Sequence, residues 1–195
     1  MHYNFLMMAF SEIKPITYAQ FRQMEFEENE RAYFYELING LILKRSSPTT
    51  EHQSILGNLY FQLRSFLQNK EIGKTLLAPL DVILDEANVP QPDLVFVALE
   101  NEHIIKRKTC IEGVPDMIVE VVSRGSIRKD RITKKELYER FGVKEYWIID
   151  QNLSVEVYYL EKNVYKIHSW IEEEGIVTSK LIEGFQIDMK DLFDL

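Results

Sequence analysis

A single cysteine, Cys110, stands among the 195 residues. No internal disulfide can form, and the chain reads as one for a reducing cytoplasm, its thiol buried or half-buried. No run of 18 or more apolar residues occurs, so no transmembrane helix is expected. The opening "MHYNFLMMAF" is apolar but short, with neither a basic leader nor an A-x-A cleavage site. Met7 or Met8 offers an alternative start, and residues 1–14 are read as a disordered or mobile extension. Repeats, low-complexity tracts and Pro/Gly/Ser linkers are missing too, which leaves one expected domain over 1–195. Basic residues are outnumbered, 23 Lys and Arg against 31 Asp and Glu. The net charge of −8 argues against a generic nucleic-acid coat protein. No helix-turn-helix or zinc-finger pattern appears, so no target sequence can be read.

What is present suits an ordinary globular protein: 46% hydrophobic and 28% charged residues. A chain of this length can bury roughly 70% of its unfolded surface. Thr17-x-x-Gln20 is a capping-box pattern and starts a short helix through about Met24. "YFYELINGLIL" reads as a hairpin around an Asn39-Gly40 turn. Ser47, Thr49 or Thr50 can cap the next helix. Its apolar positions Ile55, Leu56, Leu59, Tyr60, Leu63, Phe66 and Leu67 follow the 3.6-residue period. Short strands are expected near Thr75–Leu77, Val82–Leu84, Leu94–Val97 and Met117–Val122. A helix over Asp130–Phe141 has Asp130 as N-cap and Gly142 as its stop. "EYWIID" reads as a central buried strand, and Val155–Leu160 with Val164–Trp170 as a hairpin around "EKN". The order of strands, helix, strands, crossover helix and strand pair is that of an α/β protein with a mixed sheet.

Against this background one charge is out of place. Glu120 lies among the apolar residues of Met117–Val122, and a buried charge is costly unless paired or coordinated. Asp93 opens another apolar run. If the two strands are neighbours, both carboxylates project from one side of the sheet. Two hard oxygen ligands with a backbone carbonyl, that of Val121, suit Mg²⁺, which retains several waters. The two acids are expected to be left unneutralised by protein and to wait for such a dication. A hydrolytic phosphate site then needs a cation, and lysine is the usual choice. The position two residues beyond Glu120 is Val122, so the simplest pattern fails. Asp130, Lys134 and Tyr138 recur at i, i+4 and i+8 on one helical face, from which Lys134 can reach the site. Around it, Arg124, Arg128, Lys129, Arg131, Lys134 and Lys135 are six bases against only Asp130 within twelve residues. Taken alone, such a run is more often a solvated helix face. Beside buried acids it can also hold a polyanion.

The segments "PDLVFV", "GVPDMIVEVVS" and "RKDRITKKELYERFGVKEYWIID" closely resemble the Uma-type ("Uma two") family of restriction endonucleases, within the PD-(D/E)XK nuclease superfamily. The resemblance extends from "YELINGLIL" through "HQSILGNLYFQL" to "EGFQIDMKDLF". It implies a restriction-endonuclease-like fold, with a mixed central sheet flanked by helices and an N-terminal hairpin. It also implies a lysine moved from strand to helix, as Val122 and Lys134 are here. Asp93 and Glu120 correspond to metal ligands, Lys134 to the catalytic lysine, and Glu36 to an upstream acid beside the metal. His52 matches a family histidine.

Each residue also has a blander reading. Glu120 can be a salt bridge to Lys134 that ties strand to helix. Glu36 is equally an exposed strand charge or a third acid, and His52 is a first-turn helix residue facing water or, like Tyr138, an outer partner of the site's ligands. Asp116 is assigned to a turn, Asp130 to an N-cap or a partner of Lys134, and Tyr138, Tyr146 and Trp147 to the core. Asp150 is expected to make a turn with Gln151 and Asn152. Two functions are carried forward. The first is a Mg²⁺-dependent endonuclease acting on DNA, with Mn²⁺ able to substitute, Arg124, Arg128, Lys129, Arg131 and Lys135 contacting nucleic acid, and a homodimer matching the duplex two-fold. The second is a catalytically inactive nuclease-fold protein that binds nucleic acid or a protein partner.

Overall fold

The computed structural model describes residues 15–24, 34–106, 108–122 and 129–194, with the side chains of 129–131 left out. Residues 1–14, including the expected N-terminal extension, and Arg124 and Arg128 lie outside the described residues.

The described residues open with α1 (Tyr18–Phe21), capped by Thr17 in the reciprocal Thr17–Gln20 box. Strands β1 (Phe34–Ile38) and β2 (Leu41–Arg45) form the antiparallel hairpin. Its two-residue turn places Asn39 at φ 53° and Gly40 at φ 72°, the left-handed pair that matches strand twist. Helix α2 (Thr50–Leu67) is N-capped by Thr49 and buries Ile55, Leu56, Leu59, Leu63 and Leu67. Strands β3 (Gly73–Leu77), β4 (Val82–Ile83), β5 (Leu94–Ala98), β6 (Ile105–Lys106), β7 (Cys110–Glu112) and β8 (Met117–Val122) follow. The helical stretch after β8 starts at Lys129 with a wide π turn to Lys134, then continues as α3 (Lys135–Phe141). Asp130 therefore lies inside the first turn and not at the N-cap. Gly142, at φ 83°, ends α3 with Gly142 and Val143 amides returning to Glu139 and Tyr138 carbonyls. Strands β9 (Glu145–Asp150), β10 (Ser154–Glu161) and β11 (Val164–Glu172) complete the main sheet. Asp150 closes its turn by accepting from the Asn152 amide at 2.9 Å. A small pair, β12 (Ile176–Thr178) and β13 (Gln186–Asp188), and α4 (Met189–Leu192) end the described chain.

Among the described residues, the main sheet runs β11-β10-β9-β8-β5-β3, with β8 and β9 parallel and the other neighbours antiparallel. Parallel β8 and β9 are joined through α3, the crossover such a pair requires. This is a mixed α/β fold with helices on the sheet and an N-terminal hairpin. Strand alternation sorts the apolar residues onto two faces. Leu94, Phe96, Met117, Val119, Val121, Trp147 and Ile149 pack with α2 and α4 on one face. Val95, Val97, Ile118, Val122, Tyr146 and Ile148 pack with Leu137 and Tyr138 of α3 and with Ile38 of the hairpin on the other. Cys110 is buried. No helix among the described residues is long and apolar enough to cross a membrane.

Several contacts fix the hairpin above the second face. Leu37 bridges Val89, the Asn39 amide donates to Asn88 Oδ1 at 2.8 Å, and Arg140 of α3 donates to Asn39 Oδ1 at 2.9 Å. These contacts aim Glu36 inward. They set the geometry of the site.

A buried carboxylate cluster at the mouth of a cleft

In the β5–β8 register Leu94 pairs with Val119 and Val95 with Ile118. One step further, Asp93 meets Glu120, so both carboxylates stand on the α3 face, where alternation puts residues 93, 95, 118, 120 and 122 together. Asp93 Oδ2 accepts from the Val121 amide at 2.8 Å. Its burial pushes the carboxyl up, but the His52 hydrogen bond and the nearby charges of Arg45 and Lys134 hold it below the ordinary carboxylate value.

Glu120 has no exposed surface. Its Oε1 accepts from Lys134 Nζ at 2.7 Å and from the Tyr138 hydroxyl at 2.8 Å. Lys134 is itself fully buried and donates also to Glu36 Oε1 at 2.8 Å. Glu36 accepts there from the Gln91 amide as well, at 2.9 Å. Burial raises the Glu36 carboxyl, and the charges of Lys134 and Arg45 more than offset it, leaving it below its usual value. Tyr138 goes the other way: burial first, then the Glu120 and Glu36 charges, raise its hydroxyl well above the ordinary tyrosine value. It stays a neutral donor and fixes the orientation of Glu120.

For Glu36 and His52 the blander of two readings falls away, and one expectation is corrected. Glu36 is not an exposed strand charge but a member of the cluster. His52 does not face water: it is 7% exposed, and its Nε2 lies 3.1 Å from Asp93 Oδ2. The first turn of α2 rests against the end of β5, which a one-dimensional reading of helix position does not reveal. The acids are also not left unneutralised by protein. Besides Lys134, Arg45 of β2 places Nη2 at 3.1 Å from Asp93 Oδ1 and 3.8 Å from Glu120 Oε2, and Nη1 at 3.4 Å from Glu36 Oε1. Its Nη1 also donates to the Gln91 carbonyl at 2.6 Å.

Sequence reasoning missed Arg45, although a signal existed. The hairpin register pairs Glu36 with Leu43 and Phe34 with Arg45, making Glu36 and Arg45 diagonal neighbours of opposite charge on one face. Asp116, the second Pro-Asp acid, stays away from the cluster. It is 2% exposed and accepts from the Ala98 amide and the Asn101 side chain, with Lys144 Nζ at 2.8 Å. Lys135 turns from the carboxylates too, its ammonium 3.9 Å from the Tyr158 ring centroid. The side chains of Lys129, Asp130 and Arg131 lie outside the described ones.

The cluster opens on a cleft of about 350 Å³, lined by Arg45, His52, Asp93, Val121, Gln91 and Gln151 among others. Among the described residues, no group of three or more His, Cys, Asp or Glu is spaced to hold a metal ion. Magnesium does not need such a group, because one or two carboxylates with carbonyl oxygen and water suffice. Asp93 and Glu120 supply hard anionic oxygens, and the guanidinium between them shows that the position draws a cation. The donor chemistry fits a hard dication.

A family model described as "Uma2: Putative restriction endonuclease" matches residues 18–190. A solved structure of a putative nuclease belonging to DUF820, from Anabaena variabilis ATCC 29413, is similar in fold. It is 19% identical, with a TM-score of 0.72, and the match covers 92% of this chain and 98% of that one. No curated protein matches the chain.

Proposed function

This chain belongs to the Uma2 family of putative restriction endonucleases, and from that premise we propose that it is a Mg²⁺-dependent endonuclease hydrolysing phosphodiester bonds of DNA. The observation that carries the reading is the register that sets Asp93 opposite Glu120 across β5 and β8, with Asp93 on a cleft wall and Lys134 on Glu120. Asp93, Glu120 and the Val121 carbonyl would hold the ion, with Glu36 close by. When bound, Mg²⁺ lowers the pKa of a coordinated water and offsets negative charge on the phosphate.

The chain's own groups do the positioning. The Val121 amide and His52 fix Oδ2 of Asp93, leaving Oδ1 directed at Arg45. Tyr138 and Lys134 fix Oε1 of Glu120. The Lys134 ammonium is a compact charge held behind Glu120, where it would fix that carboxylate and add positive charge to the site. The basic stretch from Arg124 to Arg131 follows β8 in the sequence and would supply phosphate contacts. Binding through it weakens steeply as salt rises. A homodimer would match the two-fold axis of a duplex cut on both strands.

The test is incubation of purified protein with plasmid DNA and Mg²⁺, Mn²⁺ or chelator. Metal-dependent cleavage is expected, lost in Asp93→Ala and Lys134→Ala. Cleavage undiminished in both variants rejects the assignment. A second reading, an inactive nucleic-acid-binding or partner module, is favoured by the carboxylates already contacted by Lys134 and Arg45. Calorimetry that detects no Mg²⁺ or Mn²⁺ uptake supports it.

A further inference from the structure

Resting on the metal-dependent reading above, we propose that Arg45 is the site's own exchangeable cation: its guanidinium stands between Asp93 and Glu120 where a dication would bind, and must withdraw into the cleft to admit one. Among the described residues two cations contact the cluster, and they differ in freedom. Lys134 has no exposed surface and is enclosed by Glu36, Glu120 and the helix that carries it. The Arg45 side chain is 23% exposed and lines the cleft. Arg45 is also the last residue of β2, followed by Ser46, Ser47 and Pro48, which line the same cleft. Of the two, only the arginine has an open path away from the acids.

Electrostatics makes the exchange compulsory. Nη2 lies 3.1 Å from Asp93 Oδ1 and 3.8 Å from Glu120 Oε2, so a dication held by these two carboxylates would meet a like charge already at their oxygens. Two cations do not share that position. While the guanidinium is there, it holds together carboxylates that would otherwise repel across the two strands. Once displaced, it enters the cleft, the place where a phosphate backbone brings negative charge. Its planar fork suits a phosphate better than an ammonium does. Metal binding and exposure of a phosphate-binding arginine are then a single event.

Calorimetry with Mn²⁺ alone tests this, using the full chain and its Arg45→Met and Arg45→Lys variants. Thermal unfolding of all three is followed in chelator and in saturating Mn²⁺. Removing the competing cation is expected to tighten Mn²⁺ binding in Arg45→Met by roughly five- to a hundred-fold. The same variant should melt below wild type in chelator and gain more from Mn²⁺. Arg45→Lys keeps a charge that supports folding but loses the fork, and its affinity should fall between the other two. Variants that bind Mn²⁺ no more tightly than wild type overturn the exchange while leaving the metal reading intact. No uptake by any of the three removes both.

Discussion

The ammonium of Lys134 lies 2.7 Å from Oε1 of Glu120, fourteen residues back in the chain, and both side chains are shut off from solvent. Helix-to-strand placement of the two charges means that each depends on the other for burial. Removing one partner of such a pair costs far more than removing both, because an uncompensated charge is left in a low-dielectric interior. Lys134→Met should therefore destabilise the fold by about 3–5 kcal/mol. Adding Glu120→Gln should recover part of that loss. Urea unfolding of the two variants checks it, and a double variant no more stable than the single one would contradict the argument.

His52 contacts Oδ2 of Asp93 while Arg45 contacts Oδ1, so the two hold one carboxylate through different oxygens. His52→Ala is expected to weaken Mn²⁺ binding by about 10- to 100-fold. Calorimetry reads this directly, without any need for turnover. An unchanged affinity would leave His52 as packing alone.

Asp116 gives a pH signature separate from the cluster. Burial pushes its carboxyl up, but the Lys144 ammonium, the Ala98 amide and Asn101 together hold it below the ordinary value of 3.8. A carboxyl depressed in the folded state stabilises the protein fully above its unfolded pKa. That contribution is lost as pH falls through the folded value. At pH 7, Asp116→Asn should be less stable than wild type by about 1–3 kcal/mol. The gap should hold between pH 7 and about 5 and close only below about 4. Melting temperatures of both proteins across that range decide it.

Glu145 opens β9 and accepts from the Trp147 indole, the Ser179 hydroxyl and the Lys180 and Leu181 amides, all at 2.7–2.8 Å. It fastens the C-terminal segment to the central sheet. Glu145→Ala should destabilise by about 3 kcal/mol or more, since several hydrogen bonds to one charge are lost at once. Limited proteolysis should first cut near Ser179. Cleavage beginning elsewhere would show that other contacts hold this segment.

Much of this was legible in one dimension because it rests on period and turn chemistry. The 3.6-residue stripe of α2, the Asn39-Gly40 turn and the apolar run of β9 each specify an element locally. Asp93 and Glu120 stood out because an acid in an apolar run needs an explanation, and alternation then put them on one face. Arg45 did not stand out, and His52 did so only through the family resemblance. Their partners lie 48 and 41 residues away, and an arginine ending a half-exposed strand looks like any surface charge. Strands β6 and β7, two and three residues long, are too short for any periodicity. The π turn opening the α3 segment moved the helix start past the N-cap signal at Asp130, because the wider turn takes in Lys129.

The contact between Glu36 and Lys134 joins residues 98 positions apart. During translation the hairpin must therefore wait until most of the chain has left the ribosome before its carboxylate meets this ammonium. A truncated or half-synthesised copy lacks the arrangement altogether.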